Sequence, residues 1–153
     1  MTLAVLRLHS WNLPLFLHVL GATVLFGGTL AMTVLAVASR GSQHALLLAR
    51  LTFRTLLFVV LPSWALTRVA AAWILNREDK LIPGLDNKGW VGVGFTATEG
   101  GLILLVAVGI LSWLWYSRKD GVGRLGTAVI VLSSIYLVAL AVAWFAMSAK
   151  PGA

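Results

Sequence analysis

Four uninterrupted apolar stretches constrain this chain more than any other feature of it. The first runs from about Leu13 to Ala38, and its one ionisable residue is His18. The others cover about 55–75, 95–116 and 125–148, the second extending backwards on the same helix through Arg50 and Arg54. Each reaches or exceeds the roughly 20 residues that carry a helix across about 30 Å of hydrocarbon. Their apolar residues surround the helix instead of lining one face, so the surroundings must be apolar as well. Composition agrees: 59% of the 153 residues are hydrophobic and 11% charged, against about 25% charged in soluble domains. The expectation is an all-α integral membrane four-helix bundle, antiparallel and up-down-up-down, forming a single transmembrane domain over residues 1–153. The first stretch is too long for the apolar region of a signal peptide, about 7 to 15 residues, and no cleavage site follows it, so it is expected to stay.

Local signals refine the spans. Asn12 is placed to cap the first helix, with Pro14 in the first turn where its missing N–H costs nothing. Pro62 interrupts the second span, deletes the hydrogen bond to the carbonyl of Phe58 and predicts a kink. The polar stretch 76–94 is read as the one long extramembrane loop, with Gly89 to Gly94 as an interfacial entry to the third span. The connector from Ser117 to Arg124 is short and holds Gly121 and Gly123, which makes spans three and four antiparallel neighbours.

The formal charge of +7 does not point to nucleic acid, because Lys and Arg are spread among span ends and loops as anchors and topology signals. Arg40, Arg50, Arg54, Arg118, Lys119 and Arg124 sit on the connector side, against Arg7, Arg77, Lys80, Lys88 and Lys150 on the other. Six against five places both termini and the 76–94 loop outside. Most tryptophans lie near span ends, where an indole prefers the headgroup region. Trp64 is inside the second span and is read as packing around the proline notch.

An ionisable group inside a bilayer costs at least about 2.5 to 3.5 kcal/mol at mid-depth, so each calls for a reason. His18, Arg68 and Glu99 are the three here, and antiparallel spans bring them toward one membrane face at similar depth. Arg68 finds its natural partner in the carboxylate of Glu99, or else reaches for the headgroups while Glu99 sits in water. His18 is either a haem or metal ligand, a proton carrier, or a neutral imidazole hydrogen-bonded within the bundle. His44 belongs to the opposite face and His9 lies before the first span, so neither completes a metal site with it. Met147, near the outer end of the fourth span, can join His18 in a mixed site or simply fill a gap. Gly27 with Ala31, and Ala139 with Ala143, are candidate helix seams. Gly100 and Gly101, directly after Glu99, leave room beside the carboxylate for a ligand or a helix. The absence of cysteine removes thiolate and disulfide chemistry. No phosphate-binding loop, G-x-S-x-G elbow or paired zinc histidines occur, so no catalysis is assigned.

The stretch Leu17 to Ala31, LHVLGATVLFGGTLA, resembles the first helix of four-helix membrane modules related to the copper-resistance CopD family and to small bacterial membrane proteins. LARLTFRTLLFVVLP leading into ALTRVAAAW is similar to the next helix of that family. The likeness covers about 60 residues. It implies a bacterial inner membrane and the handling of copper or haem b, with His18 as the position carried over. Arg68 stands where the family pattern has glycine, and the methionine-rich and histidine-rich copper elements are missing. The functional expectation is an outward-facing intramembrane pocket formed by His18, Arg68, Glu99 and Met147, binding haem, a metal ion or a small ligand. The competing expectation is a structural or accessory subunit, in a homo-oligomer or a larger membrane complex. A transporter would require oligomerisation.

Overall fold

A computed structural model describes residues 12–78, 89–118 and 123–149. It contains α1 (Asn12–Ala38), α2 (Ala45–Thr55), α3 (Leu61–Glu78), α4 (Gly89–Arg118) and α5 (Arg124–Ala149), with the π-helical turn Leu56–Val60 joining α2 to α3 in one continuous rod. The described residues contain no strand. Four helical units, α1, the rod, α4 and α5, are long and apolar enough to cross a membrane. The chain is a multi-pass membrane protein whose helices form a four-helix bundle.

The side chains explain the bundle. Met32, Leu56, Leu105, Trp115 and Tyr136 are buried at its centre, while Phe58, Ile103 and Phe145 stand outward at 74%, 73% and 70% exposure. Such outward residues would be a liability in water and are at home against acyl chains. Five buried hydroxyls are satisfied within their own helices: Thr29, Thr33, Thr52, Ser63 and Thr67 each donate to the carbonyl four residues back. Hydrocarbon offers no water to take those hydrogens.

The second span extends backwards through Arg54 and Arg50, as expected, and goes on to begin at Ala45, while Pro62 acts through the turn before it. Its ring collides with the carbonyl four residues earlier and it has no N–H to give. The chain answers by widening the preceding turn, so that the N–H of Leu61 donates to the carbonyl of Leu56, five residues back. Ser63 then donates to the carbonyls of Val59 at 2.7 Å and Val60 at 3.0 Å, which repairs the damaged stretch.

Two expectations are corrected. The third helix begins at Gly89, six residues before the expected start at 95, so Gly89 to Gly94 is helical. A backbone this apolar must satisfy its own hydrogen bonds, and Gly94 gives space in which the ε-methyl of Met147 packs. Residues 79–88 of the expected loop lie outside the described residues. The seam on α1 is also displaced: a Cβ at Gly27 would meet nothing within 4 Å among the described residues, and Ala31 is exposed. Gly21 and Gly28, two turns apart, carry the contact instead. A Cβ on Gly21 would stand 3.0 Å from the backbone nitrogen of Thr67 and 3.2 Å from its Cα, and one on Gly28 would stand 2.9 Å from Val59 Cγ1.

Neighbouring helices meet start to end. His18, early in α1, bonds Thr67, late in the rod. Gly94, early in α4, adjoins Met147 at the end of α5, and Arg40, just past α1, reaches Thr127 near the start of α5. α4 packs along α5 and against α2, whereas it touches α3 only sparsely. That separation beyond the widened turn positions the site.

Candidate functional site

Where α3 and α4 part, a cavity of about 390 Å³ opens among α1, α3, α4 and α5. Its walls are mostly apolar, and His18, Thr67, Arg68, Phe95, Tyr136 and Met147 are among the residues on it. It extends from Tyr136, at the middle of α5, to Ser148 near that helix's end. Twelve helical residues correspond to a depth of about 18 Å.

His18 is fixed by its neighbour. Its Nδ1 lies 3.2 Å from the carbonyl oxygen of Thr67. A carbonyl only accepts, so Nδ1–H is the donor, which leaves Nε2 as the ring nitrogen free to meet a ligand. Gly21, one turn after His18 on the same side of α1, brings the backbones close enough for this bond. A histidine held through one ring nitrogen by a backbone carbonyl is the arrangement that supports metal-ligating imidazoles.

Arg68 follows Thr67 and faces α4. Its Nε donates to Glu99 Oε1 at 2.7 Å, and its guanidinium carbon stands 5.1 Å from the centroid of the Phe95 ring. The two side chains are 31% and 54% exposed, so the pair sits at the outer edge of the α3–α4 gap. One turn earlier, Trp64 Nε1 donates to the carbonyl of Thr98 at 2.9 Å. Trp64 therefore does more than pack at the proline notch: with Arg68 it ties two helices that otherwise barely touch.

The structure brings His18, Arg68 and Met147 onto one cavity wall. Of the three ionisable groups expected to converge, Glu99 does not line the cavity but lies behind Arg68 and bonds it. Gly101 presses against the ring of Tyr136 and has no room for a side chain, whereas Gly100 is open. His44 lies at the start of α2, at the other end of the bundle from His18, and His9 is outside the described residues. Among the described residues no three His, Cys, Asp or Glu side chains gather as metal ligands. The metal-ligating donor types on the cavity are one imidazole, His18, and one thioether, Met147.

Sequence reasoning missed Tyr136. It is fully buried, it lines the cavity, and its hydroxyl has no hydrogen-bond partner among the described residues. The available signal was a phenol at the centre of an otherwise charge-free span. No family model, curated protein or solved structure matches the chain.

Proposed function

We propose that this protein binds a small lipid-soluble ligand, haem included, in the cavity between α1, α3, α4 and α5. The observation that carries the reading is the cavity of about 390 Å³, whose mostly apolar lining includes the polar groups of His18 and Arg68 and the thioether of Met147. His18 supplies an acceptor or an iron ligand through Nε2, Met147 a second soft donor, and Arg68 a cation steadied by Glu99. We place the bundle up-down-up-down in a bacterial inner membrane, with the cavity, both termini and the 76–94 segment outward. The start-to-end contacts and the basic residues of the connector side support this arrangement. The resemblance of the first two spans to the CopD family favours haem over copper, because the copper-binding elements are missing.

The test is the absorption spectrum, metal content and organic extract of detergent-purified protein. A stoichiometric Soret band that vanishes in His18→Ala identifies haem, and a stoichiometric organic molecule in the extract identifies another ligand. A sample that is colourless, metal-free and empty on extraction defeats the binding reading.

A second reading, an accessory subunit in an oligomer, is favoured by the outer face of α4. Gly92, Thr96 and Gly100 are exposed at intervals of four, a spacing that lets a second helix approach closely in lipid. The chain has no cysteine, so Gly100→Cys in native membranes gives cross-linking without background. Efficient disulfide dimers are expected under this reading, with none from Phe145→Cys on α5. Equal yields from both positions would reject it.

A further inference from the structure

We infer that the start of α5 holds an anionic phospholipid, with its phosphate between Arg40 and Arg124 and an acyl chain along Val131 and Leu132. This site lies outside the cavity between α1, α3, α4 and α5 and does not depend on what that cavity binds.

An open groove runs along the first turns of α5, lined by Arg124, Thr127, Ala128, Val131 and Leu132. Its end at the start of the helix is cationic. Arg124 precedes Thr127 by one turn and lies on the same side of α5. Arg40, just past the end of α1, reaches across from the neighbouring helix, and its Nη2 stands 3.5 Å from Thr127 Oγ1. That length is at the outer limit of a hydrogen bond, and it engages one of the five donors of a guanidinium. The other side-chain donors of Arg40, and those of Arg124, have no partner among the described residues.

Two like charges beside one hydroxyl repel each other, and a guanidinium does not escape by losing its proton. Relief has to come from an anion. Glu78, the last residue of α3, and Glu99, in the first third of α4, lie toward the other end of the bundle. Asp120 is outside the described residues, and the sequence sets it alone against six basic residues on this side, Arg40, Arg50, Arg54, Arg118, Lys119 and Arg124. Positive charge is left over on this face whatever Asp120 does.

The rest of the groove says what carries the anion. From Arg124 to Leu132 it descends eight residues along α5, about 12 Å into the span. Its deeper part is Ala128, Val131 and Leu132, with Val131 50% exposed. A free inorganic anion would leave that stretch bare, whereas an acyl chain covers it and keeps the phosphate at the depth where the helix begins. The non-bridging oxygens of a phosphodiester accept from both guanidinium forks. A zwitterionic lipid has the same phosphate but brings an ammonium to a face already in positive excess, so net charge selects the anionic lipid.

The experiment is native mass spectrometry of the full-length protein, released from detergent that contains equimolar phosphatidylglycerol and phosphatidylcholine with identical chains. Among complexes holding one lipid, phosphatidylglycerol is expected to exceed phosphatidylcholine about tenfold or more, since each arginine near an anionic lipid contributes about fivefold. In Arg40→Gln/Arg124→Gln the ratio should fall to about one. Arg50→Gln/Arg54→Gln removes the same charge from exposed positions on α2 and should leave the ratio unchanged. Sodium phosphate in large excess should leave the lipid in place. A ratio near one in the unmodified protein overturns the inference, as does a ratio that survives Arg40→Gln/Arg124→Gln. An equal fall in Arg50→Gln/Arg54→Gln also overturns it, by showing diffuse attraction to the whole basic face. Displacement by phosphate overturns it in favour of a free-anion site. If the Arg40→Gln/Arg124→Gln protein does not fold, Arg124→Gln alone must lower the ratio about fivefold, and an unchanged ratio there overturns the inference.

Discussion

Gly21→Val is expected to prevent stable assembly of the bundle, with a loss of more than about 3 kcal/mol, beyond the usual range for overpacking. Overpacking a core commonly costs about 1 to 3 kcal/mol because side chains shift to accept the added atoms. Here the atoms in the way are backbone: the nitrogen of Thr67 at 3.0 Å and its Cα at 3.2 Å from a Cβ at residue 21. Relief requires α1 and α3 to move apart, which breaks the His18 to Thr67 hydrogen bond and opens the seam down to Gly28. Thermal unfolding of detergent-solubilised protein, followed by size-exclusion chromatography, measures the effect. Gly27→Val is the control, since a Cβ there meets nothing within 4 Å among the described residues, and its midpoint should match the parent. Equal midpoints for the two variants would mean that α1 and α3 are not packed backbone to backbone.

Glu99→Gln should destabilise the protein strongly when Arg68 is present and weakly in an Arg68→Leu background. The ion pair at 2.7 Å lies within a span, where an unpaired arginine costs about 2.5 to 3.5 kcal/mol on insertion scales. The substituted amide can still accept a hydrogen bond but cannot balance the charge. Removing one partner of a fully buried pair costs about 3 to 5 kcal/mol. Both side chains here are partly exposed and can reach toward the headgroups, so a coupling of about 1 to 2 kcal/mol is expected from the double-mutant cycle. Additive effects would show that the contact contributes nothing to stability. The same cycle bears on the site, because Arg68→Leu also removes the cation from the cavity wall. A ligand held by His18 without the cation should survive it.

The four spans were legible because hydrocarbon imposes a simple length and composition rule, and the ends of the first and fourth were found to within a residue. The starts of the second span and of α4 lie earlier than read, in α4 because alternating glycines read as irregular backbone. In lipid that alternation leaves helix as the only satisfied conformation, and the missing side chains at Gly94 and Gly101 are occupied by Met147 and Tyr136. The pairing of Arg68 with Glu99 was legible because both groups are too costly to leave alone at that depth. Which side of α4 carries Glu99 was not, since facing depends on how the rod and α4 separate. Likewise the choice between Gly27 and Gly28 as the seam is a matter of one residue, and composition cannot make it. Tyr136 escaped notice because a phenol is common enough in membranes that only its burial, its lack of a partner among the described residues and the space beside it mark it out.

The widened turn at Leu56–Val60 also sets which way the outer half of the second span looks. Each residue of an α-helix advances the side chains by about 100° around the axis, and a turn closed by a bond to the fifth residue back holds one residue more than usual. Everything after Val60 is therefore turned by about a quarter circle relative to a regular continuation of α2. Thr67 and Arg68 acquire their bearings from that offset. A chain one residue shorter in this turn could still cross the membrane, but it would present another pair of side chains to α1 and α4.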